Sequence, residues 1–141
     1  MNRPLLLKIL RAIAVLLFAT FAWVQYNDID PEIYDRPSVI DAACWLTFYG
    51  FVAVILAVSL FRFVPKWLLL IAVLACVVQL GRTAGGMWEN LTGEGPFVLA
   101  QTSMSSSDPR VELSREFLGA LFALASLSFL FRQPRFVPIS Q

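Results

Sequence analysis

The sequence predicts an all-α integral membrane protein in which four transmembrane helices form an up-down-up-down bundle with both termini in the cytoplasm. Composition is the first reason, because hydrophobic residues make up 58% of the 141 residues and charged residues only 15%. Soluble domains average about 45–50% and about 25%. A soluble domain of this size buries only about two-thirds of its surface and could not hide so much apolar side chain. We expect a single transmembrane domain over residues 1–141.

The second reason is the length of the apolar runs, since a helix needs about 20 residues to cross a bilayer. The runs are residues 5–26, 39–61, 64–81 and 113–131. The first contains Lys8 and Arg11 near its start, where long basic side chains can extend to the lipid headgroups. No run has a charged residue at its centre, so all four are predicted to be helices. A long loop, residues 82–112, separates the last two.

The third reason is the segregation of charge. The side with both termini and the link between the second and third runs has seven basic residues and no acid. The other side has four basic residues and all ten acids. Because cytoplasmic segments are enriched in Lys and Arg, this difference places the termini in the cytoplasm and the 82–112 loop outside, and we expect the cell (inner) membrane. The net charge of +1 argues against a nucleic-acid partner.

Each predicted helix has a row of small residues at three- and four-residue spacing, a pattern that lets membrane helices pack closely. We expect these rows to face the interior of the bundle, with the second and third helices as antiparallel neighbours. The rows are Ala12, Val15, Ala19 and Ala22; Ala43, Thr47, Gly50, Val54 and Ala57; Ala72, Ala75, Cys76, Thr83 and Gly86; and Gly119, Ala123 and Ser126.

Polar residues end these rows on the predicted non-cytoplasmic side. Ionisable groups within or beside a membrane are unfavourable enough to mark candidate functional sites. The alternative is a structural role, in which opposite charges pair and hold the helix ends together. The candidate cluster comprises Gln25, Asn27, Asp28, Asp30, Asp41, Gln79, Arg82, Glu112, Arg115 and Glu116.

The long loop and the two cysteines leave several alternatives open. The loop contains apolar residues and is expected to fold back as a lid over the outer end of the bundle, or to dock another membrane subunit. Its Asn90-Leu91-Thr92 matches the acceptor pattern for N-glycosylation. Cys44 and Cys76 lie at comparable depths, so they either form a disulfide or are small core residues.

Three stretches have recognisable patterns. The first is Gln25-Tyr26-Asn27-Asp28-Ile29-Asp30-Pro31, and the second runs from Trp45 to Tyr49-Gly50. The third comprises Met104, Asp108-Pro109, Val111-Glu112, Arg115-Glu116-Phe117 and Gly119. Together they resemble the transmembrane protein 220 family of small four-helix membrane proteins. The resemblance implies that fold without an established activity. The candidate-cluster residues that carry the family pattern are Asn27, Asp28, Asp30, Glu112, Arg115 and Glu116.

The sequence predicts no catalytic, cofactor or metal site. It has no histidine, which removes imidazole catalysis and most zinc, copper and haem ligation. The leading hypothesis is an accessory subunit or small binding or scaffold protein, whose partners are the bilayer and a larger membrane complex or a homo-oligomer. One alternative is a small transporter, channel or ion-binding module. Another is a lipid- or quinone-directed enzyme that uses Glu112, Arg115 and Glu116.

Overall fold

The computed structural model describes residues 3–29, 38–99 and 109–132, and those residues form helices, turns and no strand. The long helices are α1 (Arg3–Val24), α2 (Val39–Phe61), α3 (Lys66–Thr92) and α4 (Arg110–Ser128). Short 3₁₀ turns follow α1 at Gln25–Ile29 and α4 at Phe129–Arg132. All four helices, α4 with its following turn, are long and apolar enough to cross a membrane. The predicted all-α, four-span membrane protein is confirmed.

Helix α3 is longer than the sequence predicts. Hydropathy falls at Gly81-Arg82, so the third span was expected to end at residue 81, but α3 continues to Thr92. Glycine is tolerated in helices where it allows close packing, and Gly86 lies so near the side chain of Leu113 in α4 that a Cβ there would collide with it. Much of the predicted 82–112 loop is therefore helix, and the described non-helical part is residues 93–99 and Pro109.

The ends of α2 are well defined. Ser38 precedes the helix and its hydroxyl accepts a hydrogen bond from the backbone N–H of Asp41 at 3.2 Å, which satisfies one of the first unpaired donors. At the other end the backbone N–H of Arg62 donates to the Val58 carbonyl at 2.8 Å. The Arg11 guanidinium of α1 donates to the Ser59 carbonyl at 3.4 Å, so one helix helps to cap its neighbour.

The helices pack in two close pairs, α1 with α2 and α3 with α4, and the backbones of the two pairs lie farther apart than those within each pair. Small buried residues such as Ala72 and Ala123 let α3 and α4 approach closely. The buried face of α2 instead has large rings, above all Trp45 and Tyr49, which keep α3 and α4 farther from its axis. Helices α2 and α3 are neighbours as expected, with their backbones farther apart than those of α1 and α2 or of α3 and α4.

The expected inward rows are correct for α3 and α4 and only partly correct for α1 and α2, where Val15 and Ala22 of α1 pack against the core. In α3 the buried residues include Cys76, Thr83 and Gly86, and in α4 they include Gly119 and Ala123. The contradicted positions are Ala12 and Ala19 in α1 and Ala43, Thr47 and Val54 in α2, all of which are exposed. The residues buried in their place are Ala14 and Phe18 in α1 and Trp45, Phe48, Tyr49 and Val52 in α2. Lipid and protein interior are both apolar, so hydropathy does not distinguish the two faces.

A polar cluster at one end of the bundle as the candidate functional site

The structure brings together most of the predicted site residues at one end of the helices. We call this group the polar cluster. Its described members are Gln25 and Asp28 of the first 3₁₀ turn, Asp41 of α2, Gln79 and Arg82 of α3, and Glu112, Arg115 and Glu116 of α4. The side chain of Asn27 and the whole of Asp30 lie outside the described residues.

An ion pair joins the two helix pairs within the polar cluster. The Arg82 guanidinium of α3 pairs with the Asp41 carboxylate of α2, and it also donates to Gln79 Oε1 at 2.7 Å. The same guanidinium lies 6.0 Å from the ring centroid of Trp45, within range of a cation–π interaction. The two paired side chains are 44% and 36% exposed, so this contact forms the accessible rim of the cluster.

The acids of α4 lie behind this rim. Glu112 and Glu116 are one helical turn apart, and both are half-buried. Glu116 interacts electrostatically with three other carboxyl groups, those of Glu112, Asp28 and Asp41, and with one guanidinium, that of Arg82. Glu112 interacts with Arg115 as well as with Asp28 and Asp41. The charged groups of this electrostatic network thus come from the first 3₁₀ turn, α2, α3 and α4.

Carboxyl groups outnumber guanidinium groups in this network. Its described acids are Asp28, Asp41, Glu112 and Glu116, and its described bases are Arg82 and Arg115. Placing like charges together at the edge of an apolar medium is unfavourable, because each loses hydration and repels the others. The pair of Asp41 with Arg82 joins α2 to α3, and Glu116 and Glu112 are attracted to Arg82 and Arg115 respectively.

Buried aromatic rings separate the polar cluster from the rest of the core. Tyr49 is only 4% exposed, stacks on Trp45 with 5.4 Å between ring centroids, and meets Phe21 of α1 at 5.4 Å. Its hydroxyl lies against Gly119 of α4, where a Cβ would collide with it, and it interacts electrostatically with Glu116. Tyr49 therefore fixes how closely α4 approaches α2 directly beneath the acids.

The sequence-based list of site residues omitted Trp45 and Tyr49. Their positions follow Asp41 at intervals of four, so all three occupy one face of α2. That spacing was a usable signal. Both residues were counted as hydrophobic, so the N–H of Trp45 and the hydroxyl of Tyr49 did not mark them as site residues.

Two buried polar atoms in this region have no hydrogen-bond partner among the described residues. They are Trp45 Nε1, a donor, and Gln25 Oε1, an acceptor. The Trp45 side chain is fully buried. Leaving a buried donor or acceptor unsatisfied is unfavourable by about 1–3 kcal/mol.

The described part of the loop between α3 and α4 is fastened to both helices. Asn90 is buried; its amide nitrogen donates to the Val98 carbonyl at 2.8 Å and to Ser114 Oγ at 2.9 Å, and its Oδ1 accepts from the Val98 N–H at 3.1 Å. Glycosylation would require this same nitrogen, so the sequence match at Asn90 does not correspond to an available acceptor. Residues 93–99 fold back against these helix ends, while residues 100–108 of the expected lid lie outside the described residues.

Within the described residues, the cysteines form no disulfide and the acidic and cysteine side chains form no metal-binding group. Cys44 is exposed, Cys76 is buried, and both are free thiols, so the disulfide alternative is not formed. Among residues 3–29, 38–99 and 109–132, no three acidic or cysteine side chains are arranged to hold a metal ion.

Four apolar helices, joined at one end by a network of charged side chains, define a multi-pass integral membrane protein. Residues 17–132 match the model of a protein family described as transmembrane family 220, helix. The chain belongs to this family, as its three sequence stretches suggest, and the matched range includes every residue of the polar cluster. No curated protein and no solved structure is detectably similar to the chain.

Proposed function

We propose that this protein is a non-catalytic binding protein of the membrane, an accessory subunit or scaffold that holds its partner at the polar cluster. The supporting observation is the excess of carboxyl groups at Glu112 and Glu116, both half-buried within a helix that spans the membrane. Such groups are seldom retained without a function, because an apolar or amide side chain at the same place would be more stable. A partner with a positive charge or several N–H donors would complete the network.

The proposal includes an orientation. Four antiparallel spans with seven basic residues on one side and four on the other favour cytoplasmic termini and a polar cluster on the non-cytoplasmic face of the cell membrane. In a variant without native thiols (Cys44→Ala, Cys76→Ala), we expect a membrane-impermeant maleimide to label Ser38→Cys in intact cells. It should label Phe63→Cys only after permeabilisation. Labelling of Phe63→Cys alone in intact cells would invert the orientation.

Site-specific photo-crosslinking tests the binding role. A photoreactive residue in place of Ile40, which is 78% exposed beside Asp41, should give a discrete adduct in the membrane. The matched control replaces Phe61, which is 85% exposed at the other end of α2 and should give only dispersed lipid adducts. Combining the Ile40 probe with Glu112→Gln and Glu116→Gln should abolish the discrete adduct. The proposal is wrong if the adduct survives this double change or forms equally at Phe61.

A second candidate is a small transporter or ion-binding module, which the half-buried carboxyl groups of α4 favour. Separation of the pairs would open a path past the carboxyl groups of α4. Ion flux into liposomes that contain the wild type, Glu116→Gln or Arg115→Ala would test it. Equal background flux in all three removes this candidate.

A further inference from the structure

The two unpartnered atoms point to the chemistry of a ligand. Trp45 Nε1 requires an acceptor and Gln25 Oε1 requires a donor. Trp45 is fully buried, its ring stacks on that of Tyr49, and the Arg82 guanidinium lies 6.0 Å from its ring centroid. An acidic cluster alone would not identify a ligand, but an unsatisfied donor within it does.

Helix geometry places the two atoms at the same depth. Phe21 of α1 contacts Tyr49 of α2 at 5.4 Å between ring centroids. The contacts of Arg11 with Ser59 and of Phe21 with Tyr49 show that the two helices run in opposite directions. One further turn along each helix therefore leads to Gln25 and to Trp45.

The surrounding charges specify the ligand further. Glu112 and Glu116 give the region an excess of carboxyl groups, which favours a cation with N–H donors. Arg82 uses two of a guanidinium's five donors in its contacts with Asp41 and Gln79, which leaves donors available for an anion near Trp45. A group that fits both regions has an ammonium and an anionic acceptor a few bonds apart.

We propose that the polar cluster binds the headgroup of an aminophospholipid, with a primary ammonium between Glu116 and Gln25 and a phosphate beside Trp45 and Arg82. Phosphoethanolamine has this chemistry, and the lipid form is concentrated at the membrane depth of the cluster. This inference rests on the proposed binding function and assigns the class of ligand. A choline headgroup has no N–H to donate and a glycerol headgroup has no cation, so both should bind more weakly.

Access requires a small opening of the bundle. Neither Trp45 Nε1 nor Gln25 Oε1 is exposed, so a headgroup reaches them only after the helix ends around them move apart. The exposed pair of Asp41 with Arg82 links α2 to α3 at the rim of the cluster. A lipid phosphate can replace the Asp41 carboxylate as a partner of Arg82 during this opening.

Native mass spectrometry of the full chain in mixed micelles tests the proposal. Phosphatidylethanolamine, phosphatidylcholine and phosphatidylglycerol with identical acyl chains are compared, together with soluble phosphoethanolamine. The wild type should bind the ethanolamine lipid about tenfold more tightly than either other lipid, as expected for one charge-assisted hydrogen bond of about 1.4 kcal/mol. Competition by soluble phosphoethanolamine would show that the headgroup suffices without the acyl chains.

Matched variants connect this preference to the two atoms. Trp45→Phe removes the donor and keeps an aromatic ring beside Tyr49, and it should reduce ethanolamine-lipid binding about tenfold. The control Trp67→Phe alters a tryptophan that is 63% exposed near the opposite end of α3 and should leave binding unchanged. Gln25→Met removes the acceptor at similar volume and is the second test if Trp45→Phe fails to fold.

The outcomes separate this inference from the proposed function. Equal binding of the three lipids, or a wild-type preference in both Trp45→Phe and Gln25→Met, overturns the headgroup assignment and leaves the two atoms to buried water. If the Ile40 crosslink still depends on Glu112 and Glu116 in that case, the binding function stands and only the ligand class is wrong. If the preference for the ethanolamine lipid and the dependence of the Ile40 crosslink on Glu112 and Glu116 are both absent, both proposals are overturned.

Discussion

Substitution of Gly119 by alanine tests the packing on which the polar cluster rests. In a membrane helix this change normally stabilises by about 0.5–1 kcal/mol, because glycine has the greater freedom in the unfolded state. At Gly119 the new methyl group would overlap the Tyr49 hydroxyl. The Tyr49 ring is held by Trp45 and Phe21 and has little room to move.

The expected magnitude follows from these opposing effects. Forcing one extra carbon into a packed interior is unfavourable by about 1–3 kcal/mol. After the gain in helix propensity is subtracted, Gly119→Ala should lower the free energy of unfolding by about 1–2 kcal/mol. The matched control is Gly50→Ala in α2, where an added Cβ meets no atom within 4 Å, and it should be neutral or slightly stabilising.

Unfolding of the purified protein in mixed micelles, followed by far-UV circular dichroism during titration with sodium dodecyl sulphate, gives these differences. Removing the hydroxyl with Tyr49→Phe should relieve much of the Gly119→Ala penalty, so the double variant should be more stable than the sum of the single changes. If Gly119→Ala is as harmless as Gly50→Ala, Tyr49 does not pack against Gly119 of α4, and the described packing next to the polar cluster is incorrect.

Three further measurements test the ion pair, the attachment of the loop and the burial of Cys76. In a double-mutant cycle of Asp41→Asn and Arg82→Gln, the coupling energy should be about 0.5–1 kcal/mol, since the pair is partly exposed; zero coupling would remove the link between the helix pairs. Asn90→Ala should speed limited proteolysis within residues 93–99 about tenfold, and unchanged cleavage would contradict the fastening of the loop. In the folded protein a thiol reagent should modify Cys44 while Cys76 reacts only after unfolding, and rapid reaction of both would place Cys76 outside the core.

The sequence predicted the spans because the bilayer imposes a simple length rule. The bounds of α2 are those expected, since Ser38 and Arg62 lie at the ends of an uninterrupted apolar run. The same rule misplaced the end of α3. Hydropathy reports where a helix leaves the hydrocarbon, and α3 continues as a helix beyond that point because Gly86 packs on Leu113.

Packing faces and the details of the site were harder to predict for a physical reason. The interior of a membrane bundle and the lipid around it are equally apolar. The hydropathy of Ala19 and Phe18 therefore does not show that Phe18 is the buried residue of the two. Charged residues do offer contrast, because the bilayer excludes them, and the predicted gathering of Asp28 with Glu116 agrees with their electrostatic contact. The unsatisfied Trp45 donor became evident only from the three-dimensional arrangement.

The free energy of unfolding of Glu116→Gln, measured without added lipid or partner, tests most directly whether the polar cluster serves binding. Glu116 is half-buried and lies among three carboxyl groups and one guanidinium, so an uncharged amide of the same shape avoids the desolvation and the repulsion that a carboxylate meets there. The binding account predicts that the isolated variant is more stable than wild type by about 1 kcal/mol and has lost the crosslink at Ile40. A decrease in stability of about 1–3 kcal/mol would instead show that Glu116 is part of a structural clamp.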